Sequence, residues 1–345
     1  MTFNMGEMVK ARSEETQSFW EWCITDAGRT KIGQHVILWG TCAITAVTFS
    51  WNVFFVDVVQ RKYEDLSKGD VRENIRFTER QKNAVSSEFL RLFSICQPRA
   101  EVEDFTMSQI DLFYTTSLDP WSLGYGQGKV GAVLGLPSYM MEDHLDLANM
   151  RVRPFYNYFH KGYMLPDNLC DEAKEDLKKT LVLTPEERKF VMSRELAKVN
   201  SYAAVRDTAL APILFISHYM FAHHMNTRTR MITAGRSVRW PVQAGLGAAM
   251  VVIFLMTKEL MTYETEANAI MTVCTTKEQA SVAEGFYQKM LDRNKVLRQI
   301  LGSPGDGDYN FTEEGEYQPM IYESSILNSF QVKLKLCKTL ASELN

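Results

Sequence analysis

Between Thr184 and Asn200 the chain reads TPEERKFVMSRELAKVN, and within it Arg194, Glu195 and Lys198 keep the spacing of a helical metal site with altered chemistry. Two histidines four residues apart on a helix share a face and can ligate one zinc ion beside a glutamate that acts as general base. Here Glu195 keeps the glutamate position, while Arg194 and Lys198 stand where the histidines would be. A guanidinium offers no lone pair, an ammonium must first lose a proton, and two cations repel a dication. Zinc-dependent hydrolysis is therefore not expected from this helix. Downstream, the run Tyr263-Glu264-Thr265-Glu266-Ala267-Asn268-Ala269 places Glu264 and Asn268 four apart, on one helical face. The expectation is that Glu264 pairs with Arg194 or Lys198, so that an ion pair stands in place of a metal and joins two distant parts of the chain.

Other candidate chemistry is weaker. Cys23, Cys42, Cys96, Cys170, Cys274 and Cys337 are scattered without a C-x-x-C pair, so neither a zinc ribbon nor a compact disulfide framework is signalled. Gly126, Gly128 and Gly131 match G-x-G-x-x-G, but AVLGLP follows as a strand where a dinucleotide site needs a helix. His144 and His160 lie among carboxylates without helical ligand spacing, and His218, His223 and His224 lack an identified third ligand. The run from Asp306 begins like a calcium loop, yet Phe311 takes the glycine position and Tyr317 a carboxylate position. Asn310-Phe311-Thr312 is a sequon only for a chain that enters the secretory pathway. With 38 basic and 42 acidic residues and a net charge of -4, nothing marks a nucleic-acid partner, and no cofactor is indicated.

These residues need elements to hold them. The predicted class is a mostly helical α+β membrane protein: a soluble lobe with a small sheet, an N-terminal transmembrane helix and an internal apolar hairpin. Residues 1–35 carry Glu7, Glu14, Glu15, Glu21 and Asp26, against the composition of a cleaved transit peptide. Residues 36–59 contain a 21-residue run without charge, Val36 to Val56, with Trp39 and Trp51 near its ends and Arg61 and Lys62 just beyond it. Residues 60–207 form the first part of the lobe. Thr78-Glu79-Arg80-Gln81 opens one helix ending near Phe93, and Asp104 to Thr116 reads as a strand. Gly131 to Leu136 is a buried or edge strand, and its glycines suggest close approach of another backbone; Gly131, Val133 and Gly135 are therefore the candidate pairing positions for an extended client, with an ordinary internal strand as the alternative. Thr184, Pro185 and Glu187 form the start signal of the R-E-x-x-K helix.

Residues 208–225 and 240–257 are apolar segments that span or re-enter a bilayer, with an arginine-rich loop at 226–239 between them. Residues 258–345 return to the soluble lobe, with a helix from Lys277 to Leu301 closed by Gly302 and an amphipathic helix from Ser325 to Leu340.

The succession R-E-x-x-K, apolar hairpin, E-x-x-A-N resembles the membrane-bound zinc peptidases of the HtpX type. By that resemblance Glu195 matches the general base and Glu264 the third ligand, whereas Arg194, Lys198 and Asn268 depart from the pattern. The chain also resembles the transmembrane protein 177 family, through Gly131 to Pro137, Lys189-Phe190 to Arg194-Glu195, Leu210-Ala211-Pro212 and Phe286 to Leu291. That resemblance implies a multi-pass protein of the mitochondrial inner membrane that supports cytochrome c oxidase assembly, with newly made subunit II, its dedicated chaperone and the lipid bilayer as partners. It implies no catalytic residues. The alternatives are a membrane metallopeptidase with a rearranged site using His144, His160 or the Glu195 and Glu264 pair, and a passive structural subunit.

Overall fold

The computed structural model describes residues 39–47, 87–98, 109–115, 117–127, 131–141, 151–152, 163–164, 170–228, 236–302, 307–318 and 329–344. The acidic N-terminal segment, the capping box at Thr78, and His144 and His160 lie outside them, as does most of the first apolar run. The chain divides into two units, one comprising Met1–Ser50 with Asp207–Thr257 and the other Trp51–Arg206 with Lys258–Asn345.

In the second unit the elements follow as α2 (Ser87–Cys96), β1 (Ile110–Thr115), β2 (Trp121–Tyr125), β3 (Gly131–Pro137), a 3-10 turn (Ser138–Met141), β4 (Arg151–Val152), β5 (Tyr163–Met164), α3 (Asp171–Leu181) and α4 (Pro185–Asn200). After the first unit come α7 (Lys277–Leu301), the short α8 (Gly307–Asn310) and α9 (Phe330–Glu343). Helix α7 runs through the middle and packs against α3, α4, α8 and α9, while α4 also packs against α2 and β2. Phe190 of α4 and Phe286 and Tyr287 of α7 meet at ring-centroid distances of 5.2 to 6.0 Å, and Tyr287 continues to Phe330 of α9 at 6.2 Å. This aromatic seam joins parts of the sequence that lie on either side of the apolar segments.

The sheet has the order β1-β3-β2, with β1 parallel and β2 antiparallel to β3. Both edges of β3 are thus occupied by the chain itself, and every residue of the strand is buried. This corrects the candidate client strand: Gly131, Val133 and Gly135 have no free edge to offer. The close backbone approach that the glycines signal is internal. Gly131 sits at φ +78, and a Cβ there would strike the carbonyl of Gln109, which accepts from Ala132 N at 2.9 Å. Gly135 makes room for Phe113 and Trp121, whose rings meet edge to face at 5.3 Å.

The start signal of α4 is realised. Thr184 Oγ1 accepts from Glu187 N, Glu187 Oε2 accepts from Thr184 N at 2.7 Å, and Pro185 takes the first turn. Helix α7 has the expected bounds and a second capping box from Thr276 and Gln279. At its end Gly302 adopts φ +85, a conformation that suits glycine. The C-terminal helix begins at Phe330 rather than Ser325, because Ser329 caps it and the Glu316 carboxylate accepts from Phe330 N and Gln331 N.

In the first unit, residues 39–47 are helical (α1), and Gly40 faces the Phe215 ring, where a Cβ would lie 3.3 Å away. The two internal apolar segments belong to α5 (Ala203–Arg228) and α6 (Arg236–Val273), helices that run across the boundary between the units. Among the described residues α6 is the one helix long and apolar enough to cross a membrane, and the apolar stretch is wholly unburied.

Candidate functional site

Helix α4 is enclosed along most of its length: Phe190 through Ala197 are all buried, charged members included. Such a helix must satisfy its charges internally, because an unpaired ion in a dry interior is prohibitive. Glu195, with no exposed surface, accepts from Arg194 Nη2 at 2.6 Å and Nε at 3.0 Å, from Lys198 Nζ at 3.2 Å and from Ser122 Oγ of β2 at 2.9 Å. Arg194 also donates from Nη1 to Tyr287 Oη at 2.9 Å and lies over the Phe286 and Tyr287 rings. The glutamate in the general-base position thus has its acceptor sites taken by an arginine, a lysine and a serine.

The second carboxylate is Glu266. Its Oε1 lies 2.6 Å from Lys198 Nζ, and its Oε2 lies 3.5 Å from Lys333 Nζ of α9. Glu264, the residue singled out from the sequence, is placed elsewhere. It pairs with Arg206 at 2.7 Å, and the other terminal nitrogen of that guanidinium donates to Thr265 Oγ1. Helical phase explains the correction. Glu264, Asn268 and Met271 are exposed, whereas Glu266, Ile270 and Val273 are buried, so the two glutamates occupy different faces of α6. Glu266 stands four residues before the buried Ile270 and seven before Val273, a periodicity already visible in the sequence. Asn268 takes no part in the cluster. Lys333 and Tyr287 left no comparable signal, since each is supplied by a distant helix whose docking only the fold reveals.

The electrostatics follow from this packing. Burial pushes the Glu266 carboxyl upward, but Lys198, Lys333 and Arg194 outweigh it and hold the group well below the usual carboxylate range. Burial disfavours charge on Lys198, yet Glu195 and Glu266 raise its proton affinity above the ordinary lysine value. Lys333 goes the other way: burial, reinforced by Arg194 and Lys198, prevails over the attraction of Glu266 and lowers it. Burial raises the Tyr287 hydroxyl far above its usual range, so it is a neutral partner for Arg194. The cluster contains three cations and two carboxylates.

Zinc does not fit this donor set. Two of the three positions that would supply ligands carry an arginine and a lysine, and a third cation enters from α9. Among the described residues no group of three or more His, Cys, Asp and Glu is arranged to hold a metal ion. Cys42, Cys96, Cys170, Cys274 and Cys337 are free thiols, the second and last two of them buried. Asp308, at the start of the rejected calcium run, is paired with Arg298 at 2.7 Å.

Burial of charge is not confined to this cluster. Arg293, with no exposed surface, donates to Leu118 O at 2.7 Å, Tyr139 Oη at 2.9 Å, Asn294 Oδ1 at 2.8 Å and Asp119 Oδ1 at 2.9 Å. It pins the β1–β2 connection to α7. The protein therefore uses buried arginines as structural nodes, and Arg194 does the same in the α4 charge cluster.

No family model and no solved structure matches the chain. It is 24% identical to Transmembrane protein 177 of Danio rerio over 269 residues, which cover 76% of this chain and 80% of that one. It is also 24% identical to Transmembrane protein 177 of Homo sapiens over 210 residues, 60% of this chain and 64% of the human protein, just under two thirds of its length. Over most of its length the chain is thus similar to Transmembrane protein 177 of both species.

Proposed function

We propose that this protein is a non-catalytic assembly factor, anchored by several helices in the mitochondrial inner membrane, that supports cytochrome c oxidase biogenesis by associating with newly made subunit II and its chaperone. The observation that carries the non-catalytic part is the closed charge cluster: Glu195 is fully buried and accepts from Arg194, Lys198 and Ser122, so it has no free face with which to activate water. The membrane part is supported by the names of the two relatives and by the exposed apolar stretch of α6. The oxidase role rests on the family resemblance.

The test is affinity purification of the tagged protein from mitochondria after labelling newly synthesised mitochondrial products. Wild type should enrich oxidase subunit II together with its chaperone. Glu195→Gln, compared at matched protein level, should enrich them equally. Absence of subunit II from the wild-type eluate would end the oxidase reading, and processing of a bound product by wild type alone would end the non-catalytic one.

A further inference from the structure

The chain leaves the second unit after Arg206 and returns to it at Lys258, and the two crossings are tied together inside that unit. Arg206 Nη1 lies 2.7 Å from Glu264 Oε2, and Nη2 donates to Thr265 Oγ1 at 2.7 Å. One turn earlier, between α4 and α5, stands Tyr202, whose carbonyl accepts from Arg206 N at 2.9 Å. Its ring meets the Tyr125 ring of β2 at 5.5 Å. Tyr125 is itself held in place: its Oη donates to Gln127 Oε1 at 2.8 Å, Gln127 Nε2 donates to Asn200 Oδ1 at 2.6 Å, and Gly126 N donates to Val199 O at 3.2 Å. The tyrosine pair is thus fixed to the end of α4, yet Tyr202 stays 63% exposed. Val205, three residues on, and Leu260, one turn before Glu264, are exposed as well.

A tyrosine carries an apolar ring with a polar hydroxyl, and such side chains gather where hydrocarbon gives way to headgroups. The course of α6 sets these residues at that depth. Residues 240–257 carry no Asp, Glu, Lys or Arg and measure roughly 27 Å along the helix, close to a bilayer hydrocarbon core, and the apolar stretch is unburied. In the same helix Leu260 lies three residues past Thr257 and Glu264 seven, about 4.5 and 10.5 Å along the axis. The headgroup layer adds roughly 5 to 7 Å on each side of the core. Leu260 therefore falls inside that layer, and the Arg206–Glu264 tie holds Tyr202 within a side chain's length of it.

We infer that Tyr125 and Tyr202, with Val205 and Leu260, form a surface that rests against the lipid headgroup layer and docks the lobe on the bilayer beside the helix that enters it. This rests on the membrane reading above. Lipid is the fitting partner because the surface follows directly on the apolar stretch of α6, and because its charged groups, Arg206 and Glu264, already satisfy one another. A zwitterionic bilayer is enough for such a contact.

Full-length protein in nanodiscs of tritiated phosphatidylcholine supplies the test, with p-benzoylphenylalanine placed at one position at a time so that irradiation couples it to whatever lies beside it. Val252, exposed on α6, reports the span itself. Tyr309, 84% exposed on α8, reports a distant part of the lobe. Helix α7 passes α4 in the opposite sense, with Tyr287 at Arg194 and Lys289 at Glu187, so α8 beyond its end lies toward the start of α4, whereas Tyr202 follows the end of α4. Lipid label should enter at Val252 and at Tyr202, and be severalfold lower at Tyr309. Label at Val252 with no more at Tyr202 than at Tyr309 overturns the proposal while leaving the membrane reading intact. No label at Val252 overturns both. A protein adduct at Tyr202 in place of lipid assigns the surface to a second copy of the chain and also overturns it.

Discussion

Lys198 is the hinge of the charge cluster, since its one ammonium serves Glu195 at 3.0 Å and Glu266 at 2.6 Å. Lys198→Met leaves both carboxylates without it in a dry interior and should cost about 3 to 5 kcal/mol, read from urea denaturation. Lys333→Met is a different experiment on the same cluster. It removes the third cation while Glu266 keeps Lys198, so the loss should stay below about 1 kcal/mol, or the variant should gain stability. Equal, large losses from both would show that the excess positive charge is needed. Acid provides a second check. Because the Glu266 carboxyl is held low in the folded state, its contribution is complete above the unfolded carboxyl pKa of about 4.3 and is lost as pH falls through the folded value. Wild type should therefore lose stability steeply below about pH 4, and Glu266→Gln, weaker at neutral pH, should show a shallower loss over that window.

At the scale of elements, α4 depends on an entry device that joins it to α7. Glu187 closes the capping box with Thr184 and also pairs with Lys289 of α7 at 2.6 Å. Thr184→Ala should cost about 1 kcal/mol in chemical denaturation, the usual worth of such a cap. Gly131→Ala should cost more, since it meets a positive φ and the Gln109 carbonyl together. These two positions also show what the sequence discloses. The cap of α4 was legible because Thr, Pro and Glu at those spacings act locally, as was the end of α7 at Gly302. The glycines of β3 were legible as a close approach, but not the identity of the approaching strand, because pairing is a long-range choice. The same limit separates Glu195 from Glu266. The first follows from spacing within one helix; the second shares a face with Ile270 and Val273, a local signal, but its partners Lys198 and Lys333 come from other helices and meet it only in the assembled lobe.

At the scale of the molecule, the second unit is assembled from two stretches of chain that lie on either side of α5 and α6. The aromatic seam of Phe190, Phe286 and Tyr287, the Lys198–Glu266 and Glu187–Lys289 pairs, and the Arg293 node all join residues before Arg206 to residues after Lys258. If neither stretch can bury its half of this core alone, the lobe should form only once the chain has returned through α6. The connection between α5 and α6 should then be dispensable for holding the lobe together. Residues 1–231 and 232–345 expressed as separate polypeptides should co-purify through a tag on either piece, and each expressed alone should be degraded or insoluble. Lys198→Met in the first piece should weaken the recovery of the second, because it removes an ionic link across the join. Stable, soluble accumulation of the first piece alone would show that its part of the core is self-sufficient, and would reduce the cluster from a tie between the two stretches to a feature of one.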